Sequence, residues 1–171
     1  RIADKEETAS SLGTEAARRA LQVAGLPASQ LDLIIVATST AEQIVPACAS
    51  VLQHRLGAGN AGAFDVNSAC SGFVYALCTA YQFILGGIHR NILVVGSDVY
   101  SRLLDWEDRD TCVLFGDGAG AVVIQRKEGR QSNVGFSLGN DGSKGSILYV
   151  PGVCDTETNS TKGRHFLLMD G

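Results

Sequence analysis

The sequence predicts an α/β fold on a largely parallel sheet with helices packed on its faces, and three observations carry that prediction. Two runs, LDLIIVATST from Leu31 to Thr40 and NILVVGSD from Asn91 to Asp98, are apolar and rich in β-branched residues through their middles. That is the pattern of strands buried on both faces. Segments with helical spacing of apolar residues alternate with such runs, as in α/β domains. The connections have the length of the crossovers that parallel strands require.

Taken in order, the first element is a helix whose apolar residues recur at Leu12, Ala16, Ala20 and Ala24, with Thr8 or Ser10 as N-cap and Gly25 as the stop. The Leu31–Thr40 strand follows. Pro46 suits the first turn of a second helix running through Val51 and Leu52 to Gly57. Ala63 to Val66 read as a short buried strand, Asn67 to Ala69 as a tight polar turn, and Cys70 onward as an apolar helix closed by Gly86 and Gly87. After the Asn91–Asp98 strand, residues 99–112 are rich in charge and read as an exposed loop or irregular helix. LFGDGAGAVVIQR then merges glycine-rich punctuation into a strand. Beyond Gly129 the elements are short, NDGSKGS from Asn140 to Ser146 reads as a turn, and Pro151 to Arg164 reads as a polar surface loop.

Composition sets bounds on function. At 171 residues, 45% apolar and 19% charged, the chain has the make-up of an ordinary globular domain with one core. A net charge of −4 with scattered Lys and Arg argues against a broad nucleic-acid face. No apolar run is long enough to span a bilayer, and the charged start (Arg1, Asp4, Lys5, Glu6, Glu7) carries no apolar signal region. The five cysteines include no CxxC pair and no set with zinc-ligand spacing, so neither a disulfide framework nor a metal site is expected. A reducing, cytoplasmic setting fits.

Cys70 stands apart. Its strand, turn and helix-start setting places a thiol beside unsatisfied N–H groups and the positive end of a helix dipole, which favour the thiolate that attacks electrophilic carbonyls. Ala69, Ser71 and Gly72 leave room for a substrate, and Gly72 sits where a larger side chain would crowd the turn. An isolated cysteine with apolar flanks is otherwise a core residue. Cys48, Cys78, Cys112 and Cys154 lack the combination and read as structural. FGDGAGA matches neither common phosphate-loop pattern. Gly116, Gly118 and Gly120 instead read as permitting close approach and unusual dihedrals beside a site, with Asp117 fixing the turn.

Four segments complete the picture. SACSGFVYAL from Ser68 to Leu77, DWEDRDTCVLFGDGAGAVV from Asp105 to Val123, and the later NDGS and LLMDG segments together resemble the bacterial β-ketoacyl-acyl-carrier-protein synthase III family. The resemblance implies a thiolase-like fold of two similar αβαβα-type halves. Residues 1–171 then represent a partial N-terminal half that carries the nucleophile and lacks the opening strand. The family's catalytic His and Asn belong to the other half, and His54, His89 and His165 match neither.

The implied activity joins a short acyl-CoA, such as acetyl-CoA, to malonyl-acyl-carrier-protein through an acyl-Cys70 thioester. It implies no cofactor beyond the CoA substrate, and neither nucleic-acid nor membrane partners. By position, Arg109 matches an arginine that packs beside the CoA adenine; on residues alone it reads as a salt bridge to Asp105, Asp108 or Asp110. Phe115 matches a phenylalanine near the acyl and pantetheine channel, against a plain core reading. The family is homodimeric, and Val45 falls in the loop that reaches into the partner's acyl pocket. A related acyltransferase or condensing enzyme of secondary metabolism, and a non-catalytic acyl-CoA or carrier-protein binding partner, are the alternatives.

Overall fold

A computed structural model describes residues 1–129, 134–152 and 166–169 of the chain. Helix α1, Ala9–Ala24, opens on Thr8 through a reciprocal capping box: the Thr8 hydroxyl accepts from the Ser11 N–H at 3.2 Å, and the Ser11 hydroxyl accepts from the Thr8 N–H at 2.8 Å. Gly25 ends the helix at φ 63°, the left-handed conformation that a glycine adopts most cheaply.

The face of α1 that meets the core is Ala9, Ser10, Gly13, Thr14, Ala17 and Leu21. The expected stripe of Leu12, Ala16, Ala20 and Ala24 lies beside it, half-buried, and lines a groove of about 940 Å³ against the fourth strand. Close packing explains the offset. A Cβ on Gly13 would stand 3.1 Å from Leu52 Cδ1 and 3.3 Å from Val95 Cγ1, so only small residues fit where the helix touches the sheet.

The main sheet has four strands: β1 (Leu33–Ala37), β2 (Gly62–Val66), β3 (Asn91–Val99) and β4 (Asp117–Gln125), in the order β2-β1-β3-β4. The first three are parallel, and β4 runs antiparallel to β3 from Asn91↔Gln125 to Val99↔Asp117. β1 sits in the middle with all five residues buried, as its sequence requires. β2 was expected to be buried, but as an edge strand it is half-exposed.

Helices α1 and α2 (Cys48–Leu56) cover one face around Ile34, Val36, Leu93 and Val95. Helix α3 (Gly72–Leu85) covers the other through Ala76 and Ala80 on Ile35, Ile92 and Val94. Pro46 precedes α2 rather than entering its first turn, which begins at Cys48 after a cis Val45–Pro46 peptide. The Asp65 carboxylate of β2 accepts the Cys48 and Ala49 N–H groups, each at 2.7 Å, and so caps α2 against the sheet.

After β3 the chain turns through a 3-10 segment, Tyr100–Arg102, and further turns to β4. The expected turn near Asn140 is a short 3-10 segment, Gly142–Lys144, and β5 (Leu148–Tyr149) pairs with β6 (Leu168–Met169). Cys154, His165 and most of the expected loop from Pro151 to Arg164 lie outside the described residues. Among the described residues, no helix is long and apolar enough to cross a membrane.

Candidate active site

The parallel strands β1, β2 and β3 all end on the same side of the sheet, the side where open α/β sheets place their sites. Cys70 stands there. It does not open α3 directly, because Ala69–Ser71 form a 3-10 turn and the α-helix begins at Gly72. Ser71 hydrogen-bonds back to the Ser68 carbonyl at 2.9 Å and gives α3 no side-chain cap, so the first N–H groups of the helix keep their polarity toward the turn.

Ala69, immediately before the cysteine, has φ 43°. A residue with a Cβ held in that left-handed region carries strain of about 1–2 kcal/mol, and such strain collects where a fold must aim a functional group. The thiol it aims is exposed. Gly72 is less crowded than expected: an added Cβ would meet Ala37 Cβ at 3.4 Å, an ordinary contact.

Beside the thiol lies a cavity of about 350 Å³ whose walls include Cys70, Phe73, Asp98, Tyr100, Gly118 and Gly120. Gly116 makes the expected close approach, since a Cβ there would stand 3.2 Å from both the backbone N and O of Arg1, but the other two glycines work differently. Gly118 and Gly120 are strand residues without positive φ, and a Cβ on either would meet nothing within 4 Å, so they contribute open space. Asp117 does fix the chain here, accepting the Ala3 N–H at 2.7 Å, the Ser101 N–H at 2.8 Å and the Ser101 hydroxyl at 2.6 Å.

Asp98 and Tyr100 are site residues that the sequence reading passed over. Asp98 Oδ1 accepts the Ser39 N–H at 2.8 Å, the Thr40 hydroxyl at 3.1 Å and the Thr38 hydroxyl at 3.4 Å. Burial nonetheless pushes its carboxyl above the usual range, against the pull of those bonds. Burial also raises the Tyr100 phenol, a hydrogen bond with Ser39 opposes this, and the negative charges of Asp98 and Cys70 add to the rise. The available signal was positional: Thr38, Ser39, Thr40 and Asp98 are polar residues directly at the ends of two strongly apolar strands.

The other cysteines differ in setting. Cys48 is also at a helix start, yet it is 1% exposed, and burial, helped by the Glu42 and Asp65 charges, pushes its thiol up to about 12. Cys78 and Cys112 are half-buried. Phe115 is half-buried and packs on the ring of the cavity residue Tyr100 at 5.5 Å, without itself lining the cavity. Arg109 is exposed and forms no ion pair with Asp105, Asp108 or Asp110 among the described residues. Asp105 and Asp108 are instead engaged by neighbouring N–H groups and Thr111. Val45 is 79% exposed and away from the Cys70 cavity. His54 is exposed on α2, and His89 meets Phe83 edge-on at 5.3 Å.

Comparison with known proteins follows the same line. Residues 64–142 match the sequence model of 3-oxoacyl-[acyl-carrier-protein (ACP)] synthase III. The chain is 45% identical over 175 residues to a beta-ketoacyl-[acyl-carrier-protein] synthase III of Caldanaerobacter subterraneus subsp. tengcongensis, a match covering 100% of this chain and 53% of the relative. It is 51% identical over 156 residues to that of Rhizobium rhizogenes, covering 88% and 48%. The crystal structure of the Aquifex aeolicus 3-oxoacyl-[acyl-carrier-protein] synthase III superposes with a TM-score of 0.87 at 43% identity, over 99% of this chain and 51% of that one. The priming beta-ketosynthase of the R1128 polyketide pathway gives 0.89 at 36%, over 99% and 51%. The chain spans about half the length of the curated relatives it matches. With its three-layered half, its exposed Cys70 and this agreement along the chain, its sequence and fold match the N-terminal half of the thiolase-like 3-oxoacyl-[acyl-carrier-protein] synthase III proteins.

Proposed function

We propose that this chain carries the nucleophilic half of an acyltransferase that starts fatty-acid chains, condensing a short acyl-CoA with malonyl-acyl-carrier-protein. The observation that carries the reading is Cys70: an exposed thiol on a strained turn, at the ends of parallel strands and beside an open cavity. In the first stage the Cys70 sulfur attacks the thioester carbonyl. The carbon–sulfur bond to CoA then breaks, CoA leaves as the thiolate, and the acyl group remains on Cys70 as a new thioester. In the second stage malonyl on the carrier protein loses carbon dioxide, and its carbon attacks the acyl-Cys70 carbonyl to release 3-oxoacyl-carrier protein. By family resemblance a His and an Asn beyond this half hold the enolate oxygen, so the 171 residues alone stop at acyl transfer.

Arg109 is assigned to the CoA adenine and its phosphates: a planar cation stacks on rings and pairs with phosphate, and two of its neighbouring carboxylates, Asp105 and Asp108, are already engaged in local turns. Phe115 backs the acyl channel through Tyr100. The enzyme acts as a cytoplasmic homodimer in which Val45 enters the partner's acyl pocket and, being small, admits branched primers. Comparing acetyl-, isobutyryl- and hexanoyl-CoA turnover by the parent and Val45→Phe proteins tests this, and an unchanged preference rejects it. The resemblance to a priming polyketide synthase supports a second reading in which the same Cys70 loads a starter unit for another pathway.

The deciding experiment is intact mass after incubation with acetyl-CoA, for the 171 residues and for the complete reading frame that carries them. Acetylation of either, lost in Cys70→Ala, supports the reading. No label from any acyl-CoA on either folded protein makes the chain a non-catalytic binding partner instead.

A further inference from the structure

We propose that Asp98 is a positioning residue for Cys70, acting through Ser39 and Asn67 on the turn that carries the thiol; this rests on the nucleophilic reading of Cys70 above. Three strand ends are joined in series. Asp98, near the end of β3, gathers the Ser39 N–H and the Thr38 and Thr40 hydroxyls of the loop leaving β1. The Thr40 oxygen accepts the Val99 N–H at 2.8 Å, closing the clamp back onto β3. From that loop the Ser39 hydroxyl donates to Asn67 Oδ1 at 2.9 Å, and the same oxygen accepts the Ala69 N–H at 3.4 Å. Ala69 is the residue held at φ 43°, and Cys70 follows it.

The arrangement is more than a loop staple. A carboxylate partly withdrawn from water, with no ion-pair partner among the described residues, costs stability that a neutral side chain would not. What the charge gives in return is an acceptor strong enough to draw three donors to one oxygen, and so a fixed place for Ser39. A left-handed alanine relaxes unless its surroundings over-determine it, and the Ser39–Asn67–Ala69 relay supplies that constraint from the rigid end of β3. Asp98 also lines the cavity, so the relay and the space for substrate share one wall.

The test uses the complete reading frame, with Cys70 alkylation by iodoacetamide followed by peptide mass, acyl transfer from acetyl-CoA, and thermal unfolding. Ser39→Ala, Asn67→Ala and Asp98→Asn are each expected to slow both Cys70 reactions about 10- to 100-fold, as misplacement of a reacting group does. The loss falls on kcat, with the KM for acetyl-CoA unchanged. Ser39→Thr, which keeps the hydroxyl, retains the parent rate within about threefold, and the Ser39→Ala/Asn67→Ala double variant is no slower than the slower single one.

Ser39 and Asn67 are not core residues, so their variants fold even if Asp98→Asn does not. Parent rates in Ser39→Ala and Asn67→Ala overturn the proposal, as does a double variant whose loss is the product of the single losses. A parent protein whose Cys70 is alkylated but never acylated refutes the acyl-transfer reading alone, and the alkylation series still decides the relay.

Discussion

Cys48 and Cys70 are the same side chain near the start of two helices, and their environments predict opposite reactivity toward an electrophile. The perturbation is iodoacetamide at pH 8, applied to the folded chain and to the same chain in concentrated urea. Cys48 is 1% exposed, with its thiol pushed up to about 12, so at pH 8 its thiolate fraction is roughly 10⁻⁴, four units of pH below the midpoint. Unfolding returns it to the range of a free thiol, near 8.5, where about a quarter is thiolate at the same pH. Folding therefore protects Cys48 by roughly a thousandfold through ionisation alone, before steric exclusion is counted. Cys70 is exposed in the folded chain and meets the reagent directly. Digestion and mass measurement of each cysteine peptide over time give the separate rates. The expected order is Cys70 first and Cys48 last, with the difference collapsing in urea. Labelling of folded Cys48 within tenfold of Cys70 would refute the argument that burial beside Glu42 and Asp65 makes it inert.

Replacing Ala69 by Gly relieves about 1–2 kcal/mol of left-handed strain and costs about 0.5–1 kcal/mol of backbone entropy, so the folded chain gains up to about 1.5 kcal/mol. A lowered unfolding temperature would contradict this. Gly13→Ala forces a methyl to 3.1 Å from Leu52 and 3.3 Å from Val95; overpacking of about 1–3 kcal/mol outweighs the roughly 1 kcal/mol gain in helix propensity, and urea denaturation is expected to show net loss. The acid limb of stability follows from Glu42 and Asp117. Burial raises both carboxyls, but hydrogen bonds from Ser10 and Thr8 to the first, and from Ser101 and Ala3 to the second, leave both below the usual range. Their contribution is complete above the ordinary carboxylate value near 4 and is lost as pH falls through the lower folded values. Asp98 has the opposite sign: its raised value favours the folded state at low pH, and that advantage disappears as pH rises through it. Asp117→Asn is therefore expected to flatten the acid limb and Asp98→Asn to steepen it in pH-dependent denaturation; no change in either slope would count against both assignments.

How much of this was legible depends on what each residue does locally. β1 and β3 were readable because continuous β-branched runs have few alternatives to a buried strand, and Thr8 and Gly25 carry their cap chemistry in their own side chain and backbone. The face of α1 was misread because its contact residues are Gly13, Thr14 and Ser10, small or polar types chosen by the closeness of the sheet, while the more apolar Leu12 and Ala20 sit at the margin. The half-exposure of β2 follows from its place at the sheet edge, and strand order depends on crossovers that no local window contains. Likewise nothing in FGDGAGA states that β4 runs antiparallel. The setting of Cys70 was legible because strand, turn and helix lie consecutively in sequence. Asp98, Ser39 and Asn67 were not, because their relation spans residues that meet only when three parallel strands end together.

That difference in legibility has a physical counterpart in how the site is held. A polar turn on an exposed surface, with one residue at φ 43°, has no local reason to keep its shape, and the 3-10 turn around Cys70 contains no buried residue of its own. Its rigidity has to come from elsewhere. β1 is buried along its whole length, β3 contributes Ile92, Leu93, Val94 and Val95 at full burial, and the helices clamp them from both faces. The ends of such strands move little, and hydrogen bonds from them carry that stillness outward through Asp98 and Ser39 to Asn67. The close-packed core thus acts on the chemistry through the placement of strand ends. A substitution that loosens the β1–β3 pair, such as Leu93→Ala, should slow Cys70 in proportion to its effect on the strand ends, even though Leu93 packs under α1 and α2 on the opposite face of the sheet and does not line the cavity.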